Sequence, residues 1–209
     1  MQKNNCCNQL PDGYNEIYKI DLRKDKKAAL IVNLLSLIIC IILFILGHFI
    51  VPVTTIFNAY IAFLYAVFDG FGNTNTLFLV KILTVIVGLV VYMVLHELVH
   101  GICMKHFGAK KVKYGFTGLY AYAGCDCYFS KTPYIITALA PIVVWGIVLL
   151  MINLLVDSSW FWVIYIIQVG NISGAAGDLY VTYKFSKMPK DILVHDSGIA
   201  MEVYSKTNI

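Results

Sequence analysis

Long apolar runs constrain this chain more than any other feature. Residues 28–51, 77–107, 132–156 and 160–183 are dominated by Leu, Ile, Val and aromatic side chains. A helix of about 20 apolar residues crosses the hydrocarbon core of a bilayer, so each run is long enough to span it. With 59% hydrophobic and 13% charged residues, the composition is that of a polytopic membrane protein and excludes an ordinary soluble domain. The sequence therefore predicts an all-α membrane protein with about four transmembrane helices.

A fifth apolar segment, residues 53–68, is shorter and is interrupted by Thr54, Thr55 and Asn58. Treating it as a full span would place the basic loop 109–131 outside, against the positive-inside rule. We therefore expect residues 53–68 to form a short re-entrant, interfacial or protruding helix.

The distribution of positive charge predicts the orientation. Lys and Arg residues cluster before residue 28, in the 109–131 loop and after residue 183, whereas the 52–76 and 157–159 connections contain none. Cytoplasmic loops carry the excess of Lys and Arg, so we expect a multi-pass protein of the cell membrane with both termini in the cytoplasm. The net charge of +4 follows from this topology and does not indicate nucleic-acid binding.

The same pattern divides the chain into three parts. Residues 1–27 form a cytoplasmic N-terminal segment, residues 28–184 a single transmembrane domain, and residues 185–209 a polar cytoplasmic tail. Within the 109–131 loop, the alternation around Tyr120, Tyr122 and Tyr128 is typical of short strands.

Residues 96–100 read H-E-L-V-H inside the third apolar run. His96 and His100 are four residues apart, so on a helix they share one face and can bind one zinc ion, while Glu97 reaches a water on the same metal. An ionisable group in hydrocarbon costs a few kcal/mol or more and is usually retained for a function. The motif predicts a zinc centre with Glu97 as its base.

A third zinc ligand is expected further along the chain, and Asp178 is the downstream acid that lies within a span. His100 precedes Lys105, at the cytoplasmic end of its helix, by about 7.5 Å, and Asp178 precedes Lys184 by about 9 Å. Because the two helices run in opposite directions, their side chains should meet at a similar depth near the inner leaflet.

Two residues near this predicted centre leave alternatives open. Cys103 follows the first histidine by seven residues on the same helix face and could replace Asp178 as the third ligand. Asn171 precedes Asp178 by seven residues and could be a catalytic residue that donates a hydrogen bond to a developing oxyanion. It could equally tie two helices together, because the segment 170–178 is rich in the small residues that pack membrane helices.

A buried H-E-x-x-H helix followed by an aspartate on a later membrane helix resembles the site-2 protease class of intramembrane metalloproteases. The wider pattern is similar to an uncharacterised family of integral-membrane zincins, through H-E-L-V-H-G at 96–101, A-Y-A-G-C at 121–125, A-L-A-P at 138–141 and N-I-S-G-A-A-G-D at 171–178. The resemblance implies His96, His100 and Asp178 as ligands and Glu97 as base. The chain departs from the site-2 pattern at Leu179, where that class has glycine, and it lacks the N-x-x-P-x-P segment.

These features together predict a zinc metalloprotease, a hydrolase acting on a membrane-anchored protein or peptide near the cytoplasmic leaflet. Its partners would be the lipid bilayer and that substrate. The main alternative is a non-catalytic membrane protein with a structural or relic zinc site, which a closed site including Cys103 would indicate. A transporter with His and Asp along its path is another alternative. A zinc protease class with a downstream Glu ligand is a further one, but the downstream Glu202 lies in the tail, which counts against it.

Overall fold

The computed structural model describes residues 5–21, 23–69, 73–118 and 120–206. Its helices are α1 (Lys26–Ile50), α2 (Thr54–Asp69), α3 (Asn73–His106), α4 (Lys131–Leu155), α5 (Phe161–Gly174) and α6 (Ala176–Ser186). Its strands are β1 (Cys6–Cys7), β2 (Asn15–Ile20), β3 (Lys113–Phe116), β4 (Ala121–Gly124), β5 (Tyr128–Ser130), β6 (Leu193–Asp196) and β7 (Met201–Ser205).

Within the described residues, three helices are long and apolar enough to cross a membrane: Lys26–Ile50, Thr76–His106 and Lys131–Leu155. The first of them begins at a defined cap, because a carboxylate oxygen of Asp25 accepts hydrogen bonds from the backbone N–H groups of Lys27 and Ala28, each at 3.0 Å. The outer faces of these helices carry exposed Leu, Ile and Val side chains. An apolar surface of this extent is what lipid covers in a membrane protein.

The last predicted span differs from expectation. Instead of one helix over 160–183, the structure has α5 and α6, which are interrupted at Ala175 and are 14 and 11 residues long. The break follows Gly174, and glycine is a weak helix former because it loses more backbone freedom on folding than other residues. As a result, Asp178 lies in the first turn of α6 rather than in the middle of a long helix.

The segment predicted over 53–68 forms α2, a helix of 16 residues. It packs on α3 through the ring of Phe78, whose centroid lies 4.9 Å from that of Phe63 and 6.3 Å from that of Tyr60. The re-entrant, interfacial or protruding position expected for this helix stays a prediction.

Strands outside the 109–131 loop correct the all-α prediction. Five of the described strands form an antiparallel sheet in the order β1-β5-β6-β7-β2. The sheet draws β1 and β2 from the N-terminal segment and β6 and β7 from the tail, both of which the sequence presented only as polar segments. Val194 and Val203, at the centre of the sheet, are fully buried against Phe129 and Phe185.

This five-stranded sheet fixes the relative position of three parts of the chain. It joins the N-terminal segment, the loop between α3 and α4 and the tail by hydrogen bonds, so all three lie at the same end of the helices. The arrangement agrees with the grouping of basic segments in the sequence, while their cytoplasmic location stays a prediction.

The 109–131 loop contains the short strands predicted there. It follows Gly108, which lies two residues after the end of α3 and has a φ of 112°, a left-handed conformation that favours glycine. Strands β3 and β4 then form an antiparallel hairpin in which Tyr114 pairs with Ala123. The hairpin packs against α3, which is the helix that carries the H-E-L-V-H motif.

Candidate metal centre

The two histidines of the motif lie side by side on α3. His96 and His100 are buried, each with 8% of its surface exposed, and their ring centroids are 4.8 Å apart. Their Nε2 atoms are separated by 3.1 Å, so both nitrogens face the same small volume. This is the geometry that a spacing of four residues on a helix predicts.

Asp178 completes a group of three donors. Its Oδ2 lies 3.3 Å from Nε2 of His96, and its Oδ1 lies 3.6 Å from Nε2 of His100. The carboxylate side chain is 26% exposed, so the group is buried on its histidine side and accessible on its carboxylate side. The structure thus brings together the three residues predicted as ligands.

The spacing of these donors fits a zinc ion. Their ligand atoms all lie within 4.8 Å of one another. A metal could be held by His, Cys, Asp or Glu side chains that lie this close, and among the described residues these three form such a group. Zinc binds imidazole nitrogen and carboxylate oxygen at about 2.0–2.2 Å, so donors at the corners of a tetrahedron lie about 3.3–3.6 Å apart. The two Nε2 atoms are 3.1 Å apart, and they lie 3.3 and 3.6 Å from different oxygens of Asp178, so the separations are close to the edges of such a tetrahedron. Three protein ligands leave the fourth corner for a water molecule.

A hydrogen-bonded chain orients His96 from behind. Its Nδ1 lies 2.6 Å from the hydroxyl of Tyr92, and that hydroxyl lies 3.0 Å from Oδ1 of Asn171. Because Nε2 of His96 faces the other donors, the proton belongs on Nδ1, which donates to Tyr92, and Tyr92 donates in turn to Asn171. Sequence reasoning missed Tyr92, although its position four residues before His96 on the same helix face was a usable signal.

Asn171 is fully buried and connects three helices. Its Nδ2 donates to the carbonyl oxygen of Ile142 on α4 at 3.2 Å, while its Oδ1 accepts from Tyr92 on α3. These contacts agree with the alternative in which Asn171 ties helices together. The oxyanion-donor role that the sequence suggested for Asn171 stays a prediction that these contacts do not support.

His100 has a different partner behind it. Its Nδ1 lies 2.9 Å from the backbone carbonyl oxygen of Thr137 on α4, and Thr137 is 1% exposed. The acceptor is a backbone group, so the identity of the Thr137 side chain does not predict it.

Glu97 is half-buried beside the three donors. Its carboxylate lies near the backbone N–H of Ala123 on β4, and its charge interacts with those of His96, His100 and Asp178. Glu97 also lines a cleft of about 610 Å³ between α3 and the β3–β4 hairpin. The rest of this cleft is apolar or aromatic, with Met93, Leu98, Tyr114, Phe116 and Tyr122 among its lining residues.

Cys103 lies outside the donor group. It is half-buried on α3, and the group formed by the described residues contains the two histidines and Asp178 without it. Glu202, the ligand required by another alternative, lies in the sheet, where its carboxylate contacts Lys19, His195 and Tyr204. The structure therefore favours Asp178 as the third donor.

Comparison with known proteins agrees with this chemistry. Residues 89–193, which are 105 of the 209 residues, match a family described as "Putative zincin peptidase". The chain belongs to this family. The matched region contains the H-E-L-V-H motif, the β3–β4 hairpin and Asp178.

A curated relative is also similar, the "Uncharacterized 24.7 kDa protein in gap 5'region" of Pyrococcus woesei. It is 32% identical over an alignment of 119 residues, and the match covers 54% of this chain and 51% of the relative. The chain thus spans about half the length of the curated relative it matches. No solved structure shows a significant similarity to the chain.

Proposed function

We propose that the protein is a membrane-embedded zinc metallopeptidase that hydrolyses a peptide bond of a membrane-anchored protein or peptide. One observation carries the proposal: the three converging donors of His96, His100 and Asp178 lie beside the carboxylate of Glu97 at the edge of a cleft. Membership of a zincin family supports the reaction class, and three helices capable of crossing a membrane support the location.

The residues divide the chemistry among them. His96, His100 and Asp178 would hold the ion, with each histidine bound through Nε2. Bound zinc polarises a carbonyl group and lowers the pKa of its water to about 7. Glu97 accepts a proton from the attacking water while the water oxygen bonds to the carbonyl carbon. Glu97 then delivers that proton to the amine that leaves when the C–N bond breaks. The products are a free carboxylate and a free amine.

The cleft next to Glu97 supports the choice of substrate. Its apolar and aromatic lining, between a membrane-capable helix and a hairpin, suits a hydrophobic stretch of polypeptide better than a charged soluble peptide. A peptide bond inside a helix is shielded by its neighbours, so the substrate must be locally unwound to reach Glu97. The basic segments at this end of the helices favour the cytoplasmic leaflet as the site of cleavage.

Resemblance to site-2 proteases supports the same assignment. Site-2 proteases and the proposed enzyme both combine an H-E-x-x-H helix in the membrane with an aspartate from a later helix. In this chain that aspartate is Asp178, in the first turn of α6. The departure at Leu179 concerns the residue after the ligand and leaves the three donors in place.

Metal content is the first test of this function. We expect about one zinc per chain in detergent-purified wild-type protein and loss of that zinc in both His100→Ala and Asp178→Ala. Wild-type protein without zinc, or zinc retained in Asp178→Ala, would contradict the proposed site.

Catalysis is tested separately with Glu97→Gln. This variant should keep its zinc but lose at least about a hundredfold in cleavage rate, because general-base catalysis contributes about that much or more. Cleavage is followed by mass spectrometry on single-span transmembrane peptides reconstituted in vesicles. Zinc-loaded Glu97→Gln that cleaves as fast as wild type would rule out Glu97 as the base.

A further inference from the structure

Pro141 lies inside α4 and is fully buried. Proline has no backbone N–H, so it cannot donate to the carbonyl four residues earlier in the helix. In α4 that carbonyl belongs to Thr137. A buried carbonyl without its helical partner is costly, above all in a segment surrounded by lipid, and another donor is therefore expected nearby.

The donor is His100 of α3. Its Nδ1 lies 2.9 Å from the Thr137 carbonyl oxygen, in the place that Pro141 leaves without a donor. The hydroxyl of Thr137 does not serve this purpose, because it donates to the carbonyl oxygen of Pro133 at 2.9 Å. An imidazole N–H thus replaces the missing peptide N–H.

We propose that Pro141 is a positioning residue for the metal centre. By releasing the Thr137 carbonyl from the helix, it creates an acceptor that holds the proton of His100 on Nδ1. The lone pair of Nε2 is then directed toward His96 and Asp178, as a zinc ligand requires. The inference rests on the proposed zinc site, but it concerns how the site is built and not which bond is hydrolysed.

A proline that only bends the helix is the simpler interpretation. The two interpretations differ in what happens when the peptide N–H is restored at residue 141. If bending is its only role, Pro141→Ala should leave zinc affinity unchanged. If Pro141 frees the acceptor, the new N–H competes with His100 for the Thr137 carbonyl and loosens the ligand.

The test is the zinc dissociation constant of Pro141→Ala, measured by chelator competition on the full chain in detergent. We expect about a tenfold weaker affinity, at the lower end of the effect of losing a ligand's hydrogen-bond partner, because a carbonyl oxygen can accept two bonds. Thermal unfolding of the metal-free variant should match or exceed that of wild type, since a proline inside a helix has been removed.

Pro133→Ala is the matched control. Pro133 is buried in the first turn of the same helix, and the residue four positions earlier, Phe129, belongs to β5. The control should bind zinc as wild type does. Equal affinity of wild type and Pro141→Ala, or equal weakening by both substitutions, would overturn the proposal.

A measurement on wild-type protein removes the dependence on a variant that could misfold. Nitrogen NMR of labelled histidine in the zinc-bound protein should find the proton of His100 on Nδ1. A proton on Nε2 would overturn the proposal. Wild-type protein that binds no zinc would instead refute the proposed function, so the two failures are distinguishable.

Discussion

The hydroxyl of Tyr92 lies 2.6 Å from Nδ1 of His96, one helical turn further along α3. Through Asn171 and the carbonyl of Ile142, the same chain of hydrogen bonds reaches α5 and α4. Three helices therefore meet behind one ligand. His96 is held by side chains, whereas His100 is held by a backbone carbonyl.

Tyr92→Phe should weaken zinc binding by about tenfold, because the substitution removes the acceptor for the Nδ1 proton of His96. The dissociation constant is measured by chelator competition, and thermal unfolding of the metal-free protein is recorded alongside. Tyr165→Phe is the control, since the hydroxyl of Tyr165 joins α5 to the Leu43 carbonyl of α1 at 2.7 Å and lies away from the donor group. A similar loss of zinc affinity in both variants would indicate a general effect of losing a buried hydroxyl.

Cys103→Ser should leave zinc content and affinity unchanged, because the described donor group contains Asp178 and not Cys103. Cys40→Ser, on α1, serves as the comparison for any effect of removing a half-buried thiol from a membrane helix. Loss of zinc in Cys103→Ser alone would restore the closed-site alternative and count against a catalytic centre.

Gly101→Ala should impair cleavage and leave zinc bound. A Cβ at residue 101 would collide with the hydroxyl of Tyr114, which lines the cleft on the β3–β4 hairpin. A displacement of about 1 Å can cost about a hundredfold in rate, so we expect at least a tenfold loss on a transmembrane peptide substrate.

Gly146→Ala is the matched substitution for that experiment, because a Cβ there meets its nearest atoms at an ordinary 3.7 Å. It should retain wild-type activity. Normal cleavage by Gly101→Ala would mean that the β3–β4 hairpin takes no part in substrate binding.

Val203→Ala should lower the free energy of unfolding by about 2 kcal/mol, since it removes two buried methyl groups from the centre of the sheet. Val203 is fully buried on β7, a strand that was expected to be part of a polar tail. Val143→Ala, at a position 57% exposed on α4, should change stability little. Unfolding is followed by denaturant titration in detergent, and equal effects at both positions would argue against the sheet as a stabilising element.

The donor group could be predicted because its determinants are local and periodic. Four-residue spacing places His96 and His100 on one face, and counting residues to the basic ends of two antiparallel helices places Asp178 at their depth. Neither step requires knowledge of long-range pairing.

The five-stranded sheet could not be predicted in the same way. Its strands contain two to six residues, too few for a clear alternation, and β2 pairs with β7 from the far end of the sequence. The break at Ala175 was hidden for another reason. Gly170 and Gly174 are compatible both with a close-packed continuous helix and with a helix end, and the contacts of α5 and α6 decide between them.

The position of β6 and β7 between β5 and β2 sets an order for biosynthesis. All the other strands are translated before residue 193, yet the sheet has no centre until residues 193–205 have left the ribosome. The tyrosine and the two histidines of α3 are likewise made long before Asp178. A nascent chain would thus carry an incomplete donor set through membrane insertion, and the three donors could meet only after residue 178 has been synthesised.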